Sequence, residues 1–336
     1  MCTTIFVKSP NGLAAGRTME FASPMNFVPV FIPRNFNYRT DLHNNQLISE
    51  KAFIGTTIYE DDTYAFFDGI NEEGLIGCAN YFAGDADYPD YPITSDQDKV
   101  ALRSDMFISY ILATCSSIAD IKKKITSIYL YDLEEASSLP VSLTFHFAFY
   151  DKTGEKIIIE PLNKSLKVID NPVGVMTNSP DFQWHLTNLR NYVHIQSENK
   201  DTNHFSELEV RRFGEGSGLL GIPGDFTPPS RFVRAANMVS HMPEQLSSEQ
   251  AVTEAFHILS HFDVPEGTVY NSQTKLCDTT HYTAVMDNEK LTYNVSSKAD
   301  RALHQVNLNE LDLEAKSATI YELPKEQTIL SLKSVD

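Results

Sequence analysis

The chain has 336 residues, 42% of them hydrophobic and 20 of them phenylalanine, ample for a substantial core. Its 27 basic residues face 45 acidic ones, a net charge of -18, which argues against nucleic acid and against anionic membrane surfaces. An anionic substrate would be drawn in by local arginines and not by the global field. The N-terminus lacks the basic and apolar regions of a signal peptide, and no run of ~18 apolar residues predicts a membrane span. Cys2, Cys78, Cys115 and Cys277 stand far apart with no C-x-x-C, which suits a reducing cytoplasm rather than a disulfide scaffold.

In chain order, Thr3 to Val7 is β-branched and apolar and predicts a strand. Ser9-Pro10-Asn11-Gly12 is turn chemistry, with Asn-Gly suited to positive φ, and the chain returns from Leu13 as a second strand carrying Arg17 and Glu20. Further strands are expected at Phe27 to Pro33, Ala52 to Ile58, Tyr64 to Asp68 and Leu75 to Phe82, with a turn at Asn71 to Gly74. Asp85 to Asp98, rich in Asp, Pro and Tyr, reads as a loop. The apolar period then changes to helical over Met106 to Cys115, and Ser117 to Asp120 resembles a capping box that opens a helix through Ile125. Strands return at Val141 to Tyr150, Lys156 to Glu160, Leu166 to Ile169 and Val173 to Thr177. His194 to Val210 is polar and unassigned, and Phe213 to Ser230 is a Gly/Pro loop. Helices follow at Arg231 to Met242 and from Ser247-Ser248-Glu249-Gln250 to about His261. Strands close the chain at His281 to Met286, Leu291 to Val295 and Thr319 to Leu323. Clustered strands with paired helices predict an α+β protein, a layered helix/sheet/sheet/helix sandwich in one domain over 1–336.

The chemistry centres on Cys2. Its side chain is small enough for Met1 to be clipped by methionine aminopeptidase, which would place a thiol and a free α-amine on neighbouring atoms. An ordinary cysteine has a pKa near ~8.5 and an α-amine near ~8, so the amine can take the thiol proton without a histidine. The hairpin would bring Arg17 and Glu20 back beside Cys2, where they could tune the thiol and hold the amine. The bland alternatives are an inert second-position cysteine and a solvated Arg/Glu surface pair.

Other patterns carry less. Gly216-x-Gly218-x-x-Gly221 matches a dinucleotide fingerprint but precedes Pro228-Pro229, which we read as unable to open a helix. His257 and His261 are four apart on a predicted helix but form no H-E-x-x-H, so no metal site is expected. No G-x-S-x-G elbow supports a serine triad.

Several stretches coincide: Cys2; Arg17-Thr18-Met19-Glu20; Asp68-Gly69-Ile70-Asn71-Glu72-Glu73-Gly74-Leu75; Met176-Thr177-Asn178-Ser179-Pro180; Trp184-His185-x-x-Asn188-Leu189; and Leu220-Gly221-Ile222-Pro223-Gly224-Asp225-Phe226-Thr227-Pro228-Pro229-Ser230-Arg231-Phe232. Together they resemble the choloylglycine hydrolase family, which includes penicillin V acylases and conjugated bile salt hydrolases. The resemblance implies an N-terminal-nucleophile αββα fold, a homotetramer, and amide hydrolysis without a cofactor or metal. It implies that Cys2 is the nucleophile and its amine the base, that Arg17 stabilises the thiolate and that Arg231 assists. Asn178 and Tyr81 would hold the oxyanion. Glu20 stands where the family usually has Asp, a carboxylate with one methylene more reach. Tyr81 resembles the penicillin V acylases, whereas bile salt hydrolases tend to have Asn there. Walls from Met19, Phe21, Phe27, Tyr59 and the loop around Tyr131 would suit an apolar acyl group. The expectation is therefore a cytoplasmic, penicillin V acylase-like amidase. A conjugated bile salt hydrolase, an amidase acting on a lactone-derived signal, and a catalytically silent binding protein with Glu20 as its lesion are the alternatives.

Overall fold

A computed structural model of the protein describes residues 1–22, 25–39, 46–60, 63–89, 99–132, 144–272 and 275–334. Two sheets pack face to face. In the first, the order is Val175–Met176, Cys2–Ser9, Gly12–Phe21, Leu276–Asp287, Thr292–Ser297, His304–Asn307, with Val269–Asn271 also on Leu276–Asp287. In the second, the order is Ser165–Asp170, Lys156–Leu162, Phe145–Tyr150, Ile76–Tyr81, Asp68–Asn71, Phe53–Glu60, Thr63–Phe66, Asn37–Arg39, Gln46–Ile48; Phe27–Ile32 pairs with Phe53–Glu60. The hairpin Cys2–Ser9/Gly12–Phe21 meets Ile76–Tyr81 across the inter-sheet layer, and Leu276–Asp287 meets Asp68–Asn71. Helix Ser248–Ser260 covers the outer face of the first sheet beside Pro228–Ser240, and Phe107–Thr114 covers the outer face of the second. The result is the four-layer α/β/β/α order expected. The central strands are covered on both faces, which is why they read as near-continuous apolar runs and not as alternating ones. Cys2–Ser9, for example, is buried at every position but Lys8.

Several local expectations are corrected. The first turn does not use Asn-Gly: Pro10 and Asn11 form it, Ser9 pairs with Gly12, and neither Asn11 nor Gly12 has positive φ. Gly12 is needed instead for close approach, because a Cβ there would lie 2.6 Å from the Asn288 side chain. Pro228 and Pro229 do open a helix, Pro228–Ser240. The first N–H groups of a helix have no partner within it, so proline is tolerated there. Among the elements not foreseen are the helix Phe182–Asn188, capped by Asp181, the exposed hairpin Thr202–Phe205/Leu208–Arg211 in the unassigned polar stretch, and the short strands Asn37–Arg39, Gln46–Ile48, Val269–Asn271 and His304–Asn307. The parallel pair Val100–Arg103/Ile128–Tyr131 was also missed. The C-terminal strand is only Thr319–Ile320. Of the acidic 85–98 stretch, 85–89 is irregular as expected and 90–98 lies outside the described residues, as do 141–143 of the expected strand. Among the described residues no helix is long and apolar enough to cross a membrane.

Two features of the packing yield predictions. Gly55 faces the backbone of the adjoining strand so closely that a Cβ would sit 2.0 Å from the carbonyl oxygen of Asp68. Gly55→Ala must push those strands apart and should destabilise the protein by about 3 kcal/mol in urea unfolding. His185, on the helix Phe182–Asn188, is buried with its ring stacked on Phe232 at 4.6 Å, and burial holds its pKa down to about 4. The unfolded chain takes up this proton near ~6.5, so the stabilisation is complete above that pH and is lost as pH falls toward the folded value, by up to about 3 kcal/mol. In His185→Gln, which cannot protonate, unfolding curves collected from pH ~7 down to ~4 should lose that much less stability.

Candidate active site

The hairpin register brings the expected residues together. Cys2 pairs with Met19, Thr3 with Thr18 and Thr4 with Arg17, and beyond them the Met1 and Glu20 backbones exchange hydrogen bonds, Met1 N to Glu20 O at 2.8 Å and Glu20 N to Met1 O at 3.0 Å. Alternation along the strands gives the hairpin two faces. Cys2, Arg17 and Met19 face the second sheet; Thr3, Thr18 and Glu20 face the helices. Cys2 is 4% exposed, Arg17 0% and Glu20 2%, so the solvated-pair alternative for Arg17 and Glu20 is overturned.

Arg17 is held from several sides. Its Nη1 donates to the carbonyls of Phe67 at 3.1 Å and Ala79 at 2.8 Å, and its Nε to Thr18 O at 3.3 Å. Nη2 is left for the Cys2 Sγ at 2.7 Å, with Met19 Sδ at 3.6 Å. Burial works against the guanidinium charge, but the nearby Cys2 sulfur, Tyr282, Asp68 and Cys78 outweigh it and raise its pKa above the ordinary value. Asp68 is itself satisfied by Tyr282 and Tyr293 hydroxyls, each at 2.6 Å, and by Thr56 N at 3.2 Å. Burial pushes the Cys78 and Cys115 thiols up, which keeps them protonated and poor nucleophiles beside Cys2.

At the strand edge, Asn178 Oδ1 accepts the Cys2 backbone N–H at 2.9 Å and Arg231 Nη2 at 2.7 Å, while its Nδ2 donates to Tyr81 O at 2.7 Å. Two donors on one atom and an acceptor on the other fix which way the amide points. One Nδ2 hydrogen remains for a substrate oxygen. In a strand, the N–H and C=O of a residue point the same way, so Tyr81 N–H faces the same edge as its carbonyl; Phe82 N turns the other way, to Thr144 O. Arg231, from the proline-opened helix, also donates to Cys2 O and to Thr3 Oγ1 at 2.8 Å. Burial pulls its pKa down despite the charges of Glu20 and Cys2.

Glu20 accepts the Thr280 hydroxyl at 3.1 Å on Oε1, and its Oε2 has no hydrogen-bond partner among the described residues. Burial raises its pKa, opposed by the N-terminal amine and Arg231. This carboxylate lies on the face of the hairpin opposite to that of the thiol.

Of the expected wall residues, Met19 lies opposite Cys2, and Phe27 meets Phe67 and His281 edge-on and Tyr282 at a tilt, with centroids at 5.8, 5.3 and 5.3 Å. Phe21 is half-buried at the strand end, its carbonyl bonded to His281 Nε2 at 3.0 Å. Tyr131 is fully buried at the end of Ile128–Tyr131; burial and the charge of Asp132 raise the pKa of Tyr81. Tyr59 is in Phe53–Glu60, with its side chain outside the described residues. Unforeseen supports are Asn80, His146, Glu160 and Thr280. The lone histidine in the apolar FHFAFY run was a visible signal of the kind. Gly216 to Gly221 forms no strand–turn–helix, only the short 3-10 turn Ser217–Leu219. His257 is exposed beside Glu254 and His261 caps the helix end.

A family model described as linear amide C–N hydrolases, choloylglycine hydrolase family, matches residues 2–321. A bile salt hydrolase/transferase of Clostridium perfringens is 31% identical over 333 residues, covering 98% of this chain and 99% of that protein. The solved mutant C2A conjugated bile acid hydrolase from Clostridium perfringens superposes with a TM-score of 0.91 at 28% identity, over 99% of this chain and 100% of that one. Penicillin V acylase from Agrobacterium tumefaciens gives a TM-score of 0.74 at 18% identity, over 95% and 90%, a likeness of fold alone. The fold is the αββα sandwich of the N-terminal-nucleophile hydrolases. In both sequence and structure the bile salt enzymes are more similar to this chain than that acylase is, against the penicillin V expectation. The chain belongs to the choloylglycine hydrolase family of linear amide C–N hydrolases.

Proposed function

We propose that the protein is a cysteine N-terminal-nucleophile amidase whose substrates are conjugated bile salts. The observation that carries the catalytic part is the 2.7 Å contact of Arg17 Nη2 with the Cys2 sulfur, next to an Asn178 amide that already grips the nitrogen destined to become the α-amine. The substrate part is supported by relatives named bile salt hydrolase/transferase and conjugated bile acid hydrolase at 30–31% identity over 96–98% of the chain.

The steps follow from these positions. Removal of Met1 frees the Cys2 amine. The amine takes the thiol proton, with Arg17 holding the sulfur and Glu20 Oε2 offering an acceptor to the ammonium. The sulfur attacks the amide carbon, and the carbonyl electrons move to an oxyanion held by Asn178 Nδ2–H and Tyr81 N–H, each donor worth about 3–4 kcal/mol. Collapse expels the amine, which takes the proton from the ammonium, and leaves an acyl-thioester. Water, deprotonated by the amine, releases the acid and restores the thiol. The same thioester is open to attack by an amine in place of water, in keeping with the transferase half of the relatives' name. The homotetramer, the cytoplasmic location and one domain over 1–336 belong to the same proposal.

Tyr81 keeps a second reading in play, since it resembles the acylase side. Hydrolysis of glyco- and tauro-conjugated bile salts, penicillin V and an acyl-homoserine lactone should be compared in one assay. Bile salts should be preferred in kcat/KM by at least about tenfold; preference for penicillin V would move the assignment to the acylases. Cys2→Ser should bind substrate but lose turnover on the order of a thousandfold or more, and wild-type turnover by that variant would remove Cys2 from the chemistry. Intact mass of active protein should be lighter by one methionine residue; retained Met1 together with no turnover would favour the silent binding protein.

A further inference from the structure

The Asn178 backbone is gripped by two buried histidines that the mechanism above does not use. Its preceding carbonyl, Thr177 O, faces His146 Nε2 at 3.1 Å and also accepts Asn80 Nδ2 at 2.7 Å. Its own carbonyl faces His185 Nε2 at 2.9 Å. A carbonyl only accepts, so both Nε2 atoms carry hydrogen. The His185 Nδ1 is then the bare nitrogen, and it has no hydrogen-bond partner among the described residues. Both rings are locked by stacking, His146 on Phe82 at 4.4 Å and His185 on Phe232 at 4.6 Å. They are 1% and 2% exposed.

Glu160, fully buried, ties the two together. Its Oε1 meets His146 Nδ1 at 3.2 Å and accepts Phe182 N at 2.9 Å, at the start of the helix that carries His185. One path therefore runs Glu160–His146–Thr177 O, and the other Glu160–helix 182–188–His185–Asn178 O. They close on the two consecutive carbonyls that set where the Asn178 side chain points.

We propose that His146 and His185, coupled through Glu160, are positioning residues that hold the Asn178 amide where the oxyanion forms. This rests on the reading of Asn178 as an oxyanion donor. A site supported on loops needs such bracing, because a displacement of about 1 Å can cost about a hundredfold in rate. Neither histidine touches the reacting atoms.

The test compares amides that keep the donor in place with amides that shift it. In Gln the side-chain nitrogen reaches about as far as His Nε2, and in Asn only as far as Nδ1. His185→Gln and His146→Gln should keep kcat within about threefold of wild type, while His185→Asn and His146→Asn should lose about ten- to a hundredfold in kcat with KM changed less than about threefold. Iodoacetamide alkylation of Cys2, followed by peptide mass spectrometry, should stay within about twofold in all four, since it needs the nucleophile but no oxyanion donor. Equal kcat in the Gln and Asn variants, or alkylation falling in step with kcat, would overturn the proposal. Asn178→Ala is the control. If it keeps wild-type kcat, the oxyanion reading fails and the clamp with it. If it loses kcat while the His→Asn variants do not, only the clamp fails.

Discussion

The structure depends on one buried charge. Arg17 lies at the centre of the layer between the sheets, fully out of water, where an unpaired guanidinium would be prohibitively unfavourable. Two carbonyls of the opposite sheet, Phe67 and Ala79, receive it. That requirement fixes how the first hairpin sits over Ile76–Tyr81, and it leaves one nitrogen to face the Cys2 sulfur. Asp68 adds a compensating charge, itself spread over two tyrosine hydroxyls and a backbone N–H. Packing and the surroundings of the Cys2 sulfur are thus set by the same side chain.

The hairpin then separates the chemistry into a face, an edge and a second face. The thiol and Arg17 look toward the second sheet. The edge carries the Cys2 N–H to Asn178. The opposite face carries Glu20, Thr3 and Arg231. The two faces of a strand thus give neighbouring atoms of one residue different surroundings, Arg17 on one side and Glu20, Thr3 and Arg231 on the other. Glu20, longer than the family's usual Asp, fits because Thr280 of Leu276–Asp287 meets its Oε1. The net charge of -18 plays no part in this local balance: the cations at the centre, Arg17 and Arg231, are both buried and act at contact distance.

Much of this was legible beforehand because it is local in the chain. A β-branched run, the turn stretch Ser9 to Gly12 and a returning strand predict a hairpin that brings Arg17 to Glu20 back beside Cys2, while its register and the residues at its turn came only with the structure. The apolar periods located both helix pairs and most strands. The motif set around Cys2, Asn178 and Arg231 named the family. Where local reading failed, the reason is equally specific. Proline was judged by its missing N–H without allowing for a helix's first turn, and the helix Phe182–Asn188 is too short to show a clear period. Tyr81 was weighed as a side chain, but the contact it makes with Asn178 is through its backbone carbonyl, which no residue type reports.

By itself, then, the sequence determined the sandwich, the family and the residues at the head of the chain, since these follow from patterning and from neighbours within about twenty positions. Only the tertiary structure decided that Arg17 and Glu20 are buried on opposite faces, that Asn178 serves the Cys2 nitrogen while Tyr81 steadies its amide, and that His146, His185 and Glu160 stand behind it. These partners lie tens to hundreds of residues apart, and it is the burial of polar groups between layers, each needing a matched donor or acceptor, that selects them.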